Sequence, residues 1–225
     1  ADGIAHDPER IRGLLEMPTP ETGQHLQQWV CALNWMRQSL PKFNALVEDL
    51  ANLLKDICKV AGSCKAVKLA KYHLASHGWS SIHDAAFDAT KEALRRIVTL
   101  AYPDPDKVFC VFPDASHVSW GSVLTQIPRE QETLPVADQA HEPLAFLSGS
   151  FKGASLRWST VEKEGYAIVA SCKRLDYLLH RPGGFLICTD HRNLKYIFSV
   201  EPDLNQPRYL ANKLARCCWV KLYMQ

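Results

Sequence analysis

The sequence predicts an α/β fold: a mixed sheet of three antiparallel strands plus a parallel strand, with flanking helices, preceded by a small all-helical region. Three observations predict it. Residues 1 to about 57 place apolar side chains at helical spacing. From Lys107 onward the pattern changes to short apolar runs separated by turns, at 108–112, 121–127, 143–147 and 184–189. Between the third and fourth runs lies one long amphipathic stretch, the helical connection that a parallel strand pair requires.

In the first region Asp7 caps a helix that has Pro8 at its first position. Pro18 and Pro20 break the chain, and Leu26, Val30, Leu33 and Arg37 then form a stripe widened by Trp29 and Met36. Pro41 marks the next boundary, and Leu46, Leu50, Leu53 and Leu54 carry another helix. Residues 58–78 have no clean period and are lysine-rich, so they read as a connector. Ser80 caps a helix reaching Leu100, with Phe87, Leu94 and Ile97 inward, and the stretch 102–106 is a linker by its turn chemistry. The expected division is 1–57, 58–106 and 107–225. A short helix near 194–198 and a last helix over about 207–223 complete the reading.

Composition narrows the function classes. An apolar fraction of 47% and a charged fraction of 22% are those of a globular protein, and a net charge of +2 leaves any nucleic-acid contact to a local patch. No run of about 18 apolar residues occurs, so no membrane span is expected. The polar start Ala1-Asp2-Gly3 has no signal-peptide core. Cys31, Cys110, Cys172 and Cys188 lie in apolar runs and read as buried thiols, which suits a reducing, intracellular setting, cytoplasmic or nuclear. Trp29, Trp35, Trp79 and Trp120 read as core. Cys58, Cys64, His73 and His77 have the wrong spacing for a zinc finger and read as incidental.

The chemistry points to carboxylates. Asp114 and Asp190 each end an apolar strand run, and Glu164 lies in the long helix. There Val161, Gly165, Ile168, Cys172, Leu175 and Leu179 define the apolar face. Glu164 borders that face, whereas Glu162 lies roughly 200° around the helix and points outward. Acids delivered by strand, helix and strand suit a hard divalent cation. Such a set suggests two-metal phosphodiester hydrolysis.

Asp114-Ala115-Ser116 with Trp120-Gly121-Ser122-Val123-Leu124-Thr125-Gln126 resembles the first two strands of the RNase H domain in Pol polyproteins of gypsy-type LTR retrotransposons. Pro143-Leu144-Ala145-Phe146-Leu147-Ser148 resembles its third strand, Trp158-Ser159-Thr160-Val161-Glu162-Lys163-Glu164 its first helix, and Thr189-Asp190-His191-Arg192-Asn193-Leu194 the strand and turn after it. Upstream, Asp7-Pro8-Glu9-Arg10-Ile11, Leu26 through Met36 and Leu40-Pro41-Lys42-Phe43 resemble the reverse-transcriptase thumb and connection, and the Trp79 to Leu94 stretch the tether to RNase H. The polymerase palm is absent.

The resemblance implies an RNase H-like fold in which Asp114, Glu164 and Asp190 bind Mg²⁺ or Mn²⁺, Asp114 bridging two ions. It implies an RNA–DNA hybrid as substrate, read through groove shape and 2′-hydroxyls, with Ser116 and Asn193 as substrate contacts. It also implies the remainder of a Pol polyprotein as partner. Two departures from the family pattern set further expectations. The family's last strand, and the helix bearing its fourth aspartate, fall after Gln225 in this reading, which weakens the second ion. The fourth strand is then an exposed edge, open to self-association. Pro113 stands where the family has Thr or Ser, removing a backbone donor. Two readings follow: an RNase H-type endonuclease, and a catalytically impaired transposon-derived module that binds nucleic acid or protein.

Overall fold

The computed structural model describes residues 3–191, 193–194 and 220–224, the last of these as backbone. These residues form two units, Ile4–Thr99 and the part of the chain from Leu100 onward. No helix among the described residues is long and apolar enough to cross a membrane.

The first unit is helical. In α1 (Pro8–Glu16), the Asp7 carboxylate accepts the Glu9 N–H at 2.9 Å and Pro8 opens the first turn. Thr22 caps α2 (Gly23–Trp35) by accepting from the His25 N–H. The long α3 (Phe43–Val60) buries Phe43, Val47, Leu50, Leu53 and Ile57, a stripe at steps of three and four. Leu46 and Leu54, expected on that stripe, flank it half-buried. Trp29 fills the centre. Its indole donates to Thr90 Oγ1 at 3.1 Å, and Thr90 donates on to the Phe87 carbonyl at 2.6 Å, so no polar atom of this set is orphaned.

Residues 58–78 are part of this unit, not a connector. α3 runs on to Val60, α4 spans Ala66–Leu69, and Leu69 and Leu74 are fully buried. The Gly23 N–H bonds the Tyr72 carbonyl and the Leu74 N–H bonds the Glu21 carbonyl, both at 2.9 Å. A Cβ at Gly23 would lie 3.1 Å from Ile57 and 3.2 Å from the Leu69 carbonyl, so a larger residue would need these neighbours to give by a few tenths of an ångström. Two leucines five residues apart leave no period to read in the sequence. The helix after Ser80 is α5 (Ser81–Arg95); it ends short of Leu100 and opens with reciprocal Ser80–His83 capping. Trp35 is 74% exposed and Cys31 is exposed, against the core positions expected of them.

The second unit holds a five-stranded sheet in the order β3-β2-β1-β4-β5. The strands are β1 (Val108–Ala115), β2 (Ser119–Ile127), β3 (Glu142–Ser150), β4 (Phe185–Thr189) and β5 (Val220–Met224). β1 to β3 form an antiparallel meander, and β4 lies parallel to β1. Residues 220–224 form a strand, not the end of a helix: β5 pairs parallel with β4 from Phe185↔Val220 to Thr189↔Met224. Val-Lys-Leu-Tyr-Met alternates with the strand period of two, a pattern too short to outweigh the apolar residues before it. A last strand is therefore present, and β4 is not the exposed edge that the sequence led us to expect. The helices expected over 195–198 and 207–219 lie outside the described residues, whereas Asn193 and Leu194 are helical.

α6 (Thr160–Arg174) packs on one face of this sheet, and a break at buried Leu175 separates it from α7 (Asp176–Leu179), where one continuous helix was expected. Phe109, Val111, Phe185 and Ile187 share a core with Ala167, Ile168 and Cys172 of α6. Val108, Cys110, Leu186 and Cys188, one residue out of step, form the opposite face with Ile127. Gly149 lies opposite Trp120 on the neighbouring strand, and the indole occupies the space a side chain would need. The Arg174 guanidinium covers that indole at 4.8 Å and donates to the Ser148 carbonyl.

Candidate acidic site at the ends of two parallel strands

β1 and β4 run side by side with Cys110 opposite Leu186 and Val111 opposite Ile187. Counting on by four residues brings Asp114 level with Asp190. Both lie at the carboxyl ends of neighbouring parallel strands, where open α/β sheets place their ligands. Alternation gives both aspartates the parity of Cys110 and Cys188, and both are exposed. His191 Nδ1 lies 3.6 Å from an Asp190 oxygen, and the His191 N–H closes a turn onto Thr189 Oγ1.

Glu164 arrives from the other side. It is 5% exposed, and its Oε1 accepts the Ala115 N–H at 3.2 Å, which fixes the carboxylate at the tip of β1 beside Asp114. Burial pushes its carboxyl above the usual range. The Ala115 N–H opposes that rise, Asp114 and Asp190 add to it, and His191 offsets part of it. Glu162 does point outward: it accepts from both the backbone N–H and the hydroxyl of Ser159, capping α6, and these bonds lower its pKa.

The Ala115 bond also locates the donor that Pro113 lacks. Amide direction alternates along a strand, so position 113 faces the same side as the Ala115 N–H, away from β2. Pairing with β4 covers only Phe109 to Val111. Position 113 would carry the next donor toward β4, so the proline ends that ladder and leaves the pairing with β2 untouched.

Ser116 is occupied with structure. Its N–H bonds the Ser119 carbonyl at 2.7 Å and its hydroxyl joins that carbonyl and the Ser119 hydroxyl, shaping the β1–β2 turn. Asn193 is exposed. Among the described residues no group of three or more His, Cys, Asp or Glu side chains is close enough to hold a metal ion. The three acids thus share one end of the sheet and feel one another's charge without closing into a cage. As hard oxygen donors they fit a divalent cation in kind, and a buried carboxylate beside two like charges is where a cation relieves most repulsion. Cys58, Cys64, His73 and His77 make no metal group either; Cys58 and Cys64 partner each other, burial first and that contact second pushing the Cys58 thiol up to about 11.

Sequence reasoning missed Lys163. It is 4% exposed, and its ammonium donates to the carbonyls of His117 and Leu156, each at 2.9 Å. The available signal is a second run of inward positions, Lys163, Ala167 and Ala170, beside the apolar face.

Residues 104–218, just over half of the chain, match the family described as an RNase H-like domain found in reverse transcriptase. The chain belongs to that family. This RNase H-like chain is 28% identical over 197 residues to the Retrovirus-related Pol polyprotein from transposon opus of Drosophila melanogaster, covering 87% of this chain and 18% of that protein. It is 29% identical over 187 residues to the Transposon Tf2-3 polyprotein of Schizosaccharomyces pombe, covering 83% of this chain and 12% of that protein. The chain spans less than a fifth of the length of these relatives and corresponds to a segment of a retrotransposon Pol polyprotein.

Among solved structures, the foamy viral protease-reverse transcriptase in complex with an RNA/DNA hybrid superposes with a TM-score of 0.67 at 16% identity, over 100% of this chain and 27% of that one. The foamy viral protease-reverse transcriptase dRH in complex with double-stranded DNA gives a TM-score of 0.68 at 16% identity, over 99% of this chain and 35% of that one. These likenesses show the fold of the RNase H-like chain: a mixed sheet with flanking helices.

Proposed function

We propose that this chain is the RNase H-type endonuclease segment of a retrotransposon reverse-transcriptase polyprotein, hydrolysing the RNA strand of RNA–DNA hybrids. The observation that carries the reading is Glu164, buried and held by the Ala115 N–H at the tip of the strand that bears Asp114, with Asp190 at the matching position of the next parallel strand. Asp114, Glu164 and Asp190 would hold Mg²⁺ or Mn²⁺. Bound divalent ions supply an activated water and a stabilised leaving oxygen for attack at phosphorus. The chain's own part is to aim the acids. The Ala115 N–H fixes one Glu164 oxygen, the Ser116–Ser119 turn anchors the end of β1, and His191 flanks Asp190. Ser116 and Asn193, both exposed, would contact the substrate. The helical unit Ile4–Thr99 would serve as the connection carrying the hybrid between polymerase and nuclease, with the rest of the polyprotein as its partner, acting within the cell.

A second reading is a module that keeps the fold and binds hybrid without turnover. Purified protein is incubated with a labelled RNA–DNA hybrid in Mg²⁺ and in Mn²⁺, beside Asp114→Asn. Metal-dependent cleavage that the substitution abolishes supports the nuclease. Binding without cleavage by folded protein supports the module.

A further inference from the structure

The buried ammonium of Lys163 has no carboxylate among its contacts within the described residues. Its nitrogen donates to the His117 carbonyl at 2.9 Å and the Leu156 carbonyl at 2.9 Å, lies 3.4 Å from His117 Nδ1, and sits 5.6 Å from the centre of the Phe151 ring. His117 belongs to the turn between β1 and β2, and Leu156 to the 3₁₀ segment Gly153–Arg157 that leads into α6. The same turn is joined to the end of β3 by the Phe151 N–H bonding the Val118 carbonyl at 2.8 Å. One side chain therefore ties three parts of the chain together, and it stands immediately before Glu164.

Desolvating an ammonium is costly, and carbonyl dipoles repay less of that cost than an ion pair would. A leucine or methionine would pack this pocket against Phe151 without the penalty. The arrangement is understandable when the bonds fix a geometry that simple packing would leave loose. The geometry they fix is short-range: the turn at His117 follows Ala115 by two residues, and α6 carries Glu164 one residue after Lys163. The Ala115 N–H to Glu164 Oε1 bond spans those two segments.

We propose that Lys163 is a positioning residue: it locks the β1–β2 turn to the first turn of α6 and thereby sets the Glu164 carboxylate on the Ala115 N–H at the tip of β1. The consequence for metal rests on the nuclease reading above; the positioning itself does not. Partners that orient a metal-binding side chain typically change metal affinity by about 10- to 100-fold when removed.

The test compares wild type with Lys163→Met and Lys163→Gln, the latter retaining one donor should the methionine variant fail to fold. Amide hydrogen exchange at Ala115, read by NMR, reports the positioning without reference to catalysis. Mn²⁺ binding by calorimetry, in wild-type and Glu164→Gln backgrounds, reports its consequence. We expect faster exchange at Ala115, with the core amides of β1 at Phe109 and Val111 unchanged. Mn²⁺ binding weakens about tenfold or more in the wild-type background and not further in the Glu164→Gln background. Unchanged Ala115 exchange in a folded variant overturns the proposal, as does a loss of Mn²⁺ affinity that adds fully to that of Glu164→Gln. A wild-type protein that neither binds Mn²⁺ nor cleaves hybrid defeats the nuclease reading, while Ala115 exchange still decides the role of Lys163.

Discussion

Glu164→Gln is expected to stabilise the folded protein while weakening its response to metal. The carboxylate is 5% exposed, and burial, assisted by Asp114 and Asp190, raises its pKa despite the Ala115 N–H. A raised carboxyl pKa means that the folded state prefers the neutral form. Stability is then fullest below the unfolded value of 4.5 and is lost as pH rises through the folded value. Glutamine keeps an oxygen for the Ala115 N–H and carries no charge, so the variant is more stable than wild type at neutral pH and lacks this decline. Metal reverses the order. An ion that binds only the folded state at ten times its Kd stabilises by about 1.4 kcal/mol, which for a chain of this size moves Tm by roughly 3–6 °C. Thermal melts at pH 7, with and without Mn²⁺, provide the assay. The account predicts a higher Tm for Glu164→Gln without metal and a smaller Mn²⁺-dependent rise than in wild type. A variant less stable than wild type without metal, or one that gains as much from Mn²⁺, refutes the reasoning.

Other substitutions test the supporting structure. Gly149→Ala drives a Cβ to within 2.3 Å of the Trp120 indole, so it costs about 1–3 kcal/mol in urea denaturation with an unchanged m value. Ser159→Ala removes the cap that Glu162 completes and costs about 1 kcal/mol by the same measurement. Pro113→Thr changes stability by at most about 1 kcal/mol, because it loosens the unfolded chain but restores a donor on the side facing β4; a larger loss would show that the proline ring itself holds the end of β1. His141, half-buried with Nδ1 2.8 Å from Thr125 Oγ1, has its pKa lowered chiefly by burial. Its contribution to stability is complete above 6.5 and declines as pH falls below that value, a slope that His141→Gln flattens in pH-dependent melts.

Much of the placement of the candidate acids was legible because strands and helices space their residues by simple periods. Asp114 and Asp190 end apolar runs of the same phase, and that phase brings them level on neighbouring parallel strands. The angular separation of Glu162 and Glu164 decided which acid caps the helix and which reaches the sheet. The elements that escaped are those fixed by contacts distant in sequence. β5 depends on pairing with β4, and its five residues carry too short a pattern to stand alone. Leu69 and Leu74 are buried by α2 and its flanks without any local period. Lys163 reads as a solvated helix charge until His117 and Leu156 supply its acceptors. Pro113 looks like damage in the sequence, yet it stands where the ladder with β4 ends and leaves the pairing with β2 intact.

The most direct test of the account is cleavage of a hybrid carrying distinct labels on its RNA and DNA strands, by wild type and by Asp190→Asn, in Mg²⁺ and Mn²⁺. The account predicts metal-dependent fragments of the RNA strand alone, lost in the variant. An intact hybrid in the presence of folded wild-type protein, or cleavage that survives the loss of Asp190, would contradict it.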